Sequence, residues 1–249
     1  MSLFALTMTI VFVFIAVFIS LWQKLGLEKD IIIGTVRSAV QLLLIGYVLQ
    51  YVFRTNQPAI VALILFVMIA VATWNAAKRA QGLKGIRLRI GISICATEML
   101  TVGLLLALGI IPFTTQYIIP LSGMTIGNAM VVSSLFLNQM KREITASRGE
   151  VETLLALGAA PRQAIHELLK RSAKASMIPT IDGMKTVGLV QLPGMMTGMI
   201  VAGASPLDAV RYQILIMFAF ASSAALTSIM LSLLSYRLWF TERDALMKG

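Results

Sequence analysis

The chain carries one cysteine and one histidine in 249 residues. A lone Cys95 excludes an internal disulfide framework and a Cys-x-x-Cys metal site, and it carries no information about the redox state of its compartment. A lone His166, with no second imidazole to complete a site, reads as a surface or partner-contact residue. Charge is scarce too. Only 13% of residues are Asp, Glu, Lys or Arg, about half the share usual in a soluble domain. A phosphate loop of the form G-x-x-x-x-G-K-[ST] is missing, since the tempting Lys185-Thr186 pair follows Met184; any nucleotide hydrolysis therefore belongs to another polypeptide.

What fills the chain instead is apolar surface. Hydrophobic residues make up 58% of the sequence and the mean hydropathy is +0.86, which together identify a polytopic membrane protein. Apolar runs bounded by charge fall at 3–22, 31–53, 58–77, 90–111, 115–137, 177–203 and 211–236, each near the ~20 residues needed to span a bilayer as a helix. The expected fold is an all-α bundle of about seven transmembrane helices, a single transmembrane domain over 1–249 with no soluble domain of useful size. The run from Ser2 to Leu21 lacks a basic leader and a small-residue cleavage site, so it is expected to be retained as a span.

The net charge is +10. Lys24 and Lys29 follow the first run, Lys78, Arg79, Lys84, Arg87 and Arg89 the third, Lys141 to Lys174 the fifth, and Arg237, Arg243 and Lys248 the last, against Arg54 alone in the opposite loops. By the positive-inside rule the N-terminus is outside and the C-terminus cytoplasmic. Because these residues track the lipid boundary and form no stripe with interleaved aromatics, the partner they imply is membrane lipid and not nucleic acid.

The longest stretch outside the apolar runs, 138–176, has a helical pattern. Val151, Leu154, Leu155 and Leu157 precede Gly158, and Ile165, Leu168 and Leu169 resume the helical spacing after Pro161, a residue suited to a first helical turn. A helix, a glycine-centred bend and a second helix have the right shape to dock into a cytoplasmic partner.

Within the membrane, IPLSGMTIGNAM and QLPGMMTGMI each join a proline to glycines four apart: Pro120 with Gly123 and Gly127, Pro193 with Gly194 and Gly198. Such glycines let helices approach closely and proline removes a helical hydrogen bond, so the fifth and sixth runs are expected to pack at a moving interface that lines a route through the membrane, or to be ordinary helix packing. Met124, Met130, Met184, Met195, Met196 and Met199 cluster there among 15 methionines; they read either as soft ligands or as flexible packing around glycine. Glu98, mid-way along the fourth run, must face protein or water, either as a cation- or proton-carrying group or as a packed carboxyl. Arg37 and Gln41 share one face of the second run and are expected toward the interior. Asp182 and Lys185 are expected to pair at the cytoplasmic entrance of the sixth run, and Asn75 and Asn128 to hydrogen-bond between helices.

Glu152 followed by Gly158 resembles the EAA-type coupling loop of ATP-binding-cassette permeases. More widely, LEKD at 27–30, WNAAKR at 74–79, IPLSGMTIGNAM at 119–130, LGAAP at 157–161 and IPTIDGMKTVGLVQLPGMM at 178–196 resemble the FetB/YbbM permease family over nearly the whole chain. That resemblance implies an inner-membrane permease subunit of an exporter associated with iron efflux, with related plant members linked to aluminium tolerance. It implies a homodimer working with two copies of a separate ATPase that binds ATP and magnesium, while this chain binds no cofactor. It implies coupling through Glu152, Leu155, Gly158, Ala159 and Pro161; read from the residues themselves, the candidates for a transport pathway or gate are Glu98, Met124, Asn128, Asp182, Lys185, Pro193, Gly194, Met195, Met196, Gly198 and Met199. Two other classes fit the residues: an ion-coupled secondary carrier using Glu98, and a membrane scaffold that only recruits a partner through 138–176.

Overall fold

A computed structural model describes residues 8–55, 57–80, 83–242 and 244–247. Residues 3–7 of the first apolar run, the Arg54 side chain, Arg243 and Lys248 lie outside the described positions and side chains. The described chain is helical, with two isolated β-bridges and no named strand. It divides into two compact units, residues 1–57 and 58–249.

The first unit is a helical pair, α1 (Ile10–Trp22) and α2 (Glu28–Thr55). Its turn is closed by Ser20, whose hydroxyl donates to Glu28 Oε1 at 2.7 Å and accepts the Leu27 N–H at 3.2 Å. Within this unit Arg37 and Gln41 lie on α2 with their side chains uncovered by α1.

The second unit holds α3 (Pro58–Ala77), α4 (Ile86–Ala107), α5 (Thr115–Ala146), α6 (Arg148–Ala156), α7 (Pro161–Ala164), α8 (His166–Thr186), α9 (Gly194–Val201) and α10 (Pro206–Ser235). Among the described residues, five helical stretches are long and apolar enough to cross a membrane: Glu28–Phe53, Pro58–Ala80, Ile86–Ala107, Thr115–Ala146 and Pro206–Trp239. The protein is thus an all-α, multi-pass membrane helix bundle. Two of the seven expected runs differ: the first is described as the 13-residue α1, with residues 3–7 outside the described positions, and the sixth is broken. Residues 177–203 are not one span, because α8 starts in the preceding segment and the helix is interrupted between Thr186 and Gly194.

The central rod is α5. Its 32 residues reach about 48 Å at ~1.5 Å per residue, well beyond the ~30 Å hydrocarbon thickness, so its basic end projects out of the bilayer. Pro120 lies inside this helix, which continues past it although the proline cannot donate to the Gln116 carbonyl one turn earlier. Around the basic half of α5 sits the main core, in which Ile90, Ile94, Phe136, Leu137, Met140, Val151, Ile165 and Leu231 are all essentially inaccessible. A smaller cluster at the other end joins Val102, Ile111, Leu121 and Ile216 to Met124 and Met195.

Helix approach through the glycine pairs is not what joins these elements. A Cβ placed on Gly127, Gly194 or Gly198 would meet nothing within 4 Å, and only Gly123 has a near neighbour, the Met68 methyl at 3.1 Å. The contacts run instead through small hydroxyl residues. Ser93, Thr97, Ser122, Thr125, Ser133, Ser223, Thr227 and Ser228 are buried between α4, α5 and α10, where side chains of this size permit close packing just as glycine does.

Phe136 is fully buried while Phe218 keeps 66% of its surface exposed toward the apolar surroundings. Phe136→Ala is expected to cost about 3–5 kcal/mol and Phe218→Ala less than about 0.5 kcal/mol, measured by thermal unfolding of the detergent-purified chain.

Candidate functional site

The interruption between α8 and α9 is built by local sequence. Gly188 takes φ +83, a left-handed conformation that glycine adopts without a Cβ clash. Its N–H donates to the Gln191 carbonyl at 2.9 Å, the Val190 N–H donates back to Thr186 at 2.9 Å, and Val187 and Gln191 form a bridge. Pro193 then caps α9 in an extended conformation. The result is two half-helices joined by a tight loop, and Leu189 and Val190 at the loop tip are 89% and 81% exposed.

Antiparallel pairing with α5 fixes the depth of the break. Ser172 lies against Met140 and Thr180 against Asn128, and Asn128 is about 20 Å along α5 from Thr115 at ~1.5 Å per residue. Asp182 and Lys185 form the expected ion pair at 3.3 Å, with both side chains exposed. The pair sits beside the break and not at the entrance of the segment, because α8 begins far earlier, at His166. A cavity of about 240 Å³ opens here, lined by Asn128, Ser176, Thr180, Gly183, Gln191 and Phe220 among others.

Asn128 also ties this cavity to the bundle. Its amide donates to the Phe220 carbonyl at 3.0 Å and its oxygen accepts from Thr180 Oγ1 at 3.2 Å, so one side chain joins α5, α8 and α10. One turn away, Thr125 Oγ1 donates to Glu98 Oε2 at 2.6 Å and the Thr125 carbonyl accepts from Ser223 Oγ at 3.2 Å. Glu98 is 7% exposed. Its Oε1 and the nearby Ser122 hydroxyl are buried with no hydrogen-bond partner, and no basic side chain pairs with it among the described residues. Below it, Thr97 and Thr227 hydroxyls meet at 3.1 Å and Ser93 donates to the Thr227 carbonyl at 3.2 Å.

At the basic end lies the second feature. α6 terminates where Gly158 takes φ +91; the Ala159 N–H returns to the Leu154 carbonyl and the Gly158 N–H to Leu155, both at 3.0 Å, a glycine-dependent helix stop. Pro161 opens α7, and the Gln163 side chain accepts the Ala160 N–H at 3.0 Å. A cleft of about 830 Å³ borders this bend, lined by Arg148, Glu152, Leu155, Gly158, Ala159 and Pro161 on one side and Asp244, Ala245 and Leu246 on the other. The opposite wall is a hairpin in which Phe240 bridges Leu246, the Thr241 N–H donates to Ala245 at 2.7 Å, and Arg237 pairs with Asp244. Arg148 pairs with Glu152 at 2.8 Å and donates to the Met247 carbonyl at 3.3 Å, which fastens the hairpin to α6.

The model of UPF0014, described as an uncharacterised protein family, matches residues 3–240. The chain belongs to this family. Among relatives, it is 49% identical to the UPF0014 membrane protein YjkA of Bacillus subtilis, with both chains covered completely. It is 37% identical to the probable iron export permease protein FetB of Escherichia coli, over 98% of this chain and 94% of that one. It is 41% identical to the protein ALUMINUM SENSITIVE 3 of Arabidopsis thaliana, over 94% and 85%. No solved structure matches.

In this UPF0014 chain the expected residues fall into three groups. Glu152, Leu155, Gly158, Ala159 and Pro161 share one cleft. Asn128, Asp182, Lys185 and Pro193 surround the break, with Gly194, Met195, Met196, Gly198 and Met199 on α9, where none is fully buried; Met124 and Met195 meet in the smaller cluster. Glu98 stands apart, its carboxylate held by Thr125. Among the described residues no three of His, Cys, Asp and Glu come together as a metal-holding group. Thr125, Thr180, Gln191 and the hairpin around Asp244 escape sequence inspection. Threonine one turn from Asn128 is an unremarkable residue in a membrane helix, and the hairpin has no motif.

Thr125→Val removes the donor to Glu98 and leaves a second buried carboxyl oxygen without a partner, at an expected cost of about 1–3 kcal/mol. The double variant Thr125→Val with Glu98→Leu should recover most of that loss, because neither partner then remains. Thermal unfolding of the four proteins gives the coupling.

Proposed function

We propose that this chain is the membrane-spanning subunit of an ATP-binding-cassette exporter that moves iron or another metal ion out of the cytoplasm by alternating access, driven by a separate ATPase. The observation that carries the reading is the exposed cleft at Gly158, which gathers Glu152, Leu155, Ala159 and Pro161 on a rigid bend. The relative named as a probable iron export permease supports the cargo class.

In this scheme the basic end is cytoplasmic and the N-terminus lies outside, in the cell (inner) membrane. The partner binds ATP and magnesium and inserts against the Gly158 bend. Closure of two such partners around two nucleotides implies a permease homodimer. Force on the bend has two outlets. Through α7 it reaches α8, one half of the broken element, because α7 and α8 follow each other with a single residue between them. Through the hairpin it reaches the end of α10, since Tyr236–Trp239 continues that helix. Both helices contact Asn128, so their displacement shifts the break.

An irregular backbone at membrane depth is tolerated only where protein or water covers it. The exposed loop at Leu189 and Val190 and the exposed Asp182–Lys185 pair therefore favour a position facing a second copy or a wet path. The metal crosses as transient cargo past Asn128, Gln191 and the α9 methionines, with Glu98 as the carboxyl that responds to charge nearby. A secondary carrier would use Glu98 as its ion-coupling group, and it differs by needing no ATP.

Metal efflux from vesicles containing the chain and its ATPase is expected to require ATP. Gly158→Trp should still insert into the membrane yet reduce flux at least tenfold while the ATPase continues to hydrolyse ATP. Full flux by this variant, or flux without ATP and the second subunit, would remove the coupling scheme.

A further inference from the structure

We infer that the groove between α3 and α4 is a binding site for one acyl chain and the phosphate of an anionic phospholipid. Phe66, Ala70 and Trp74 recur on one face of α3, and Arg87, Gly91 and Cys95 on the facing side of α4; together they bound about 560 Å³. The helices run antiparallel, so Trp74 and Arg87 mark one end of the groove and Phe66 and Cys95 the other.

The two ends differ chemically. At the first, the Arg87 guanidinium lies 4.6 Å from the centroid of the Trp74 ring, and it has no carboxylate partner among the described residues. A stacked, flat guanidinium keeps its N–H fork available for a phosphate, and tryptophan favours the headgroup level of a bilayer. The other end is apolar. From Trp74 to Phe66 the groove covers about 12 Å at ~1.5 Å per residue, close to one leaflet, or half of the ~30 Å hydrocarbon thickness. Gly91 keeps it open: a Cβ there would lie 3.5 Å from the Thr73 hydroxyl, so any larger side chain must extend into the space.

Charge decides the occupant. Lys78, Arg79, Lys84, Arg87 and Arg89 cluster at this boundary, and no Asp or Glu occurs anywhere from Pro58 to Thr97. A basic pocket at the boundary of membrane helices suits an anionic headgroup. A second copy of the chain fits poorly, because a two-fold contact would set this basic boundary against itself.

The test uses the full chain in dodecyl maltoside, incubated with equimolar phosphatidylglycerol and phosphatidylcholine and weighed by native mass spectrometry. The wild type should retain phosphatidylglycerol roughly five-fold over phosphatidylcholine, the factor expected for one basic side chain at a membrane surface. Arg87→Gln, a change on an exposed side chain, should abolish the preference but keep lipid binding. Gly91→Leu should lose both lipids. The only cysteine, Cys95, gives a second readout: a fluorophore on it should be quenched by phosphatidylglycerol brominated on its acyl chain, and not in a Gly91→Leu background. Equal retention of the two lipids by the wild type, an undiminished preference in Arg87→Gln, or a lipid-free dimer that Gly91→Leu dissociates would each overturn the assignment.

Discussion

Polar side chains in a bilayer core have no water to fall back on, and the architecture of this chain follows from where they find each other. α5 carries the decisive pair one turn apart. Thr125 engages Glu98 through its side chain and Ser223 through its carbonyl, while Asn128 engages Phe220 and Thr180. Each such contact is individually worth only about 0.6 kcal/mol on average. Their importance is geometric, since between them they align α4, α8 and α10 on one rod and bring the interruption at Gly188 to a defined depth.

The same rod joins two environments. Its apolar half lies among lipid-facing helices, and its basic half extends into a packed core of Phe136, Met140, Val151, Ile165 and Leu168. Water is available to that second region, so apolar burial drives its packing. The Gly158 bend rests on this firm base, clamped by the hairpin at Phe240 and Leu246, which are 6% and 5% exposed. The proposed coupling role needs a bend that is stiff, and this core supplies that stiffness. The broken element is the opposite: α9 buries no residue fully and its loop tip is bare, as expected of a part that changes neighbours.

Much of this was legible in the linear chain. Apolar length set the helices of the bundle, charge scarcity excluded a soluble domain, and the Leu155, Gly158 and Pro161 pattern located a bend that is present in the structure. Glycine spacing was a poorer guide. Gly127, Gly194 and Gly198 satisfy the motif for close approach yet face open space within the chain, because such a motif states what a backbone permits and not which neighbour arrives. The break inside 177–203 was marked by Pro193 and Gly188, but a strongly apolar run reads the same whether it crosses straight or folds back.

Hydropathy is a local property, summed residue by residue, and so the sequence alone determined that the chain enters a membrane and roughly where most of its long apolar helices lie. Partners within the bundle are non-local. That Glu98 meets Thr125, that Asn128 meets Thr180 and Phe220, and that a C-terminal hairpin walls the cleft at Gly158 depend on contacts across 27 to 92 positions and more. Only tertiary packing decides such contacts, because a hydroxyl or amide in lipid bonds whatever the folded helices bring within reach.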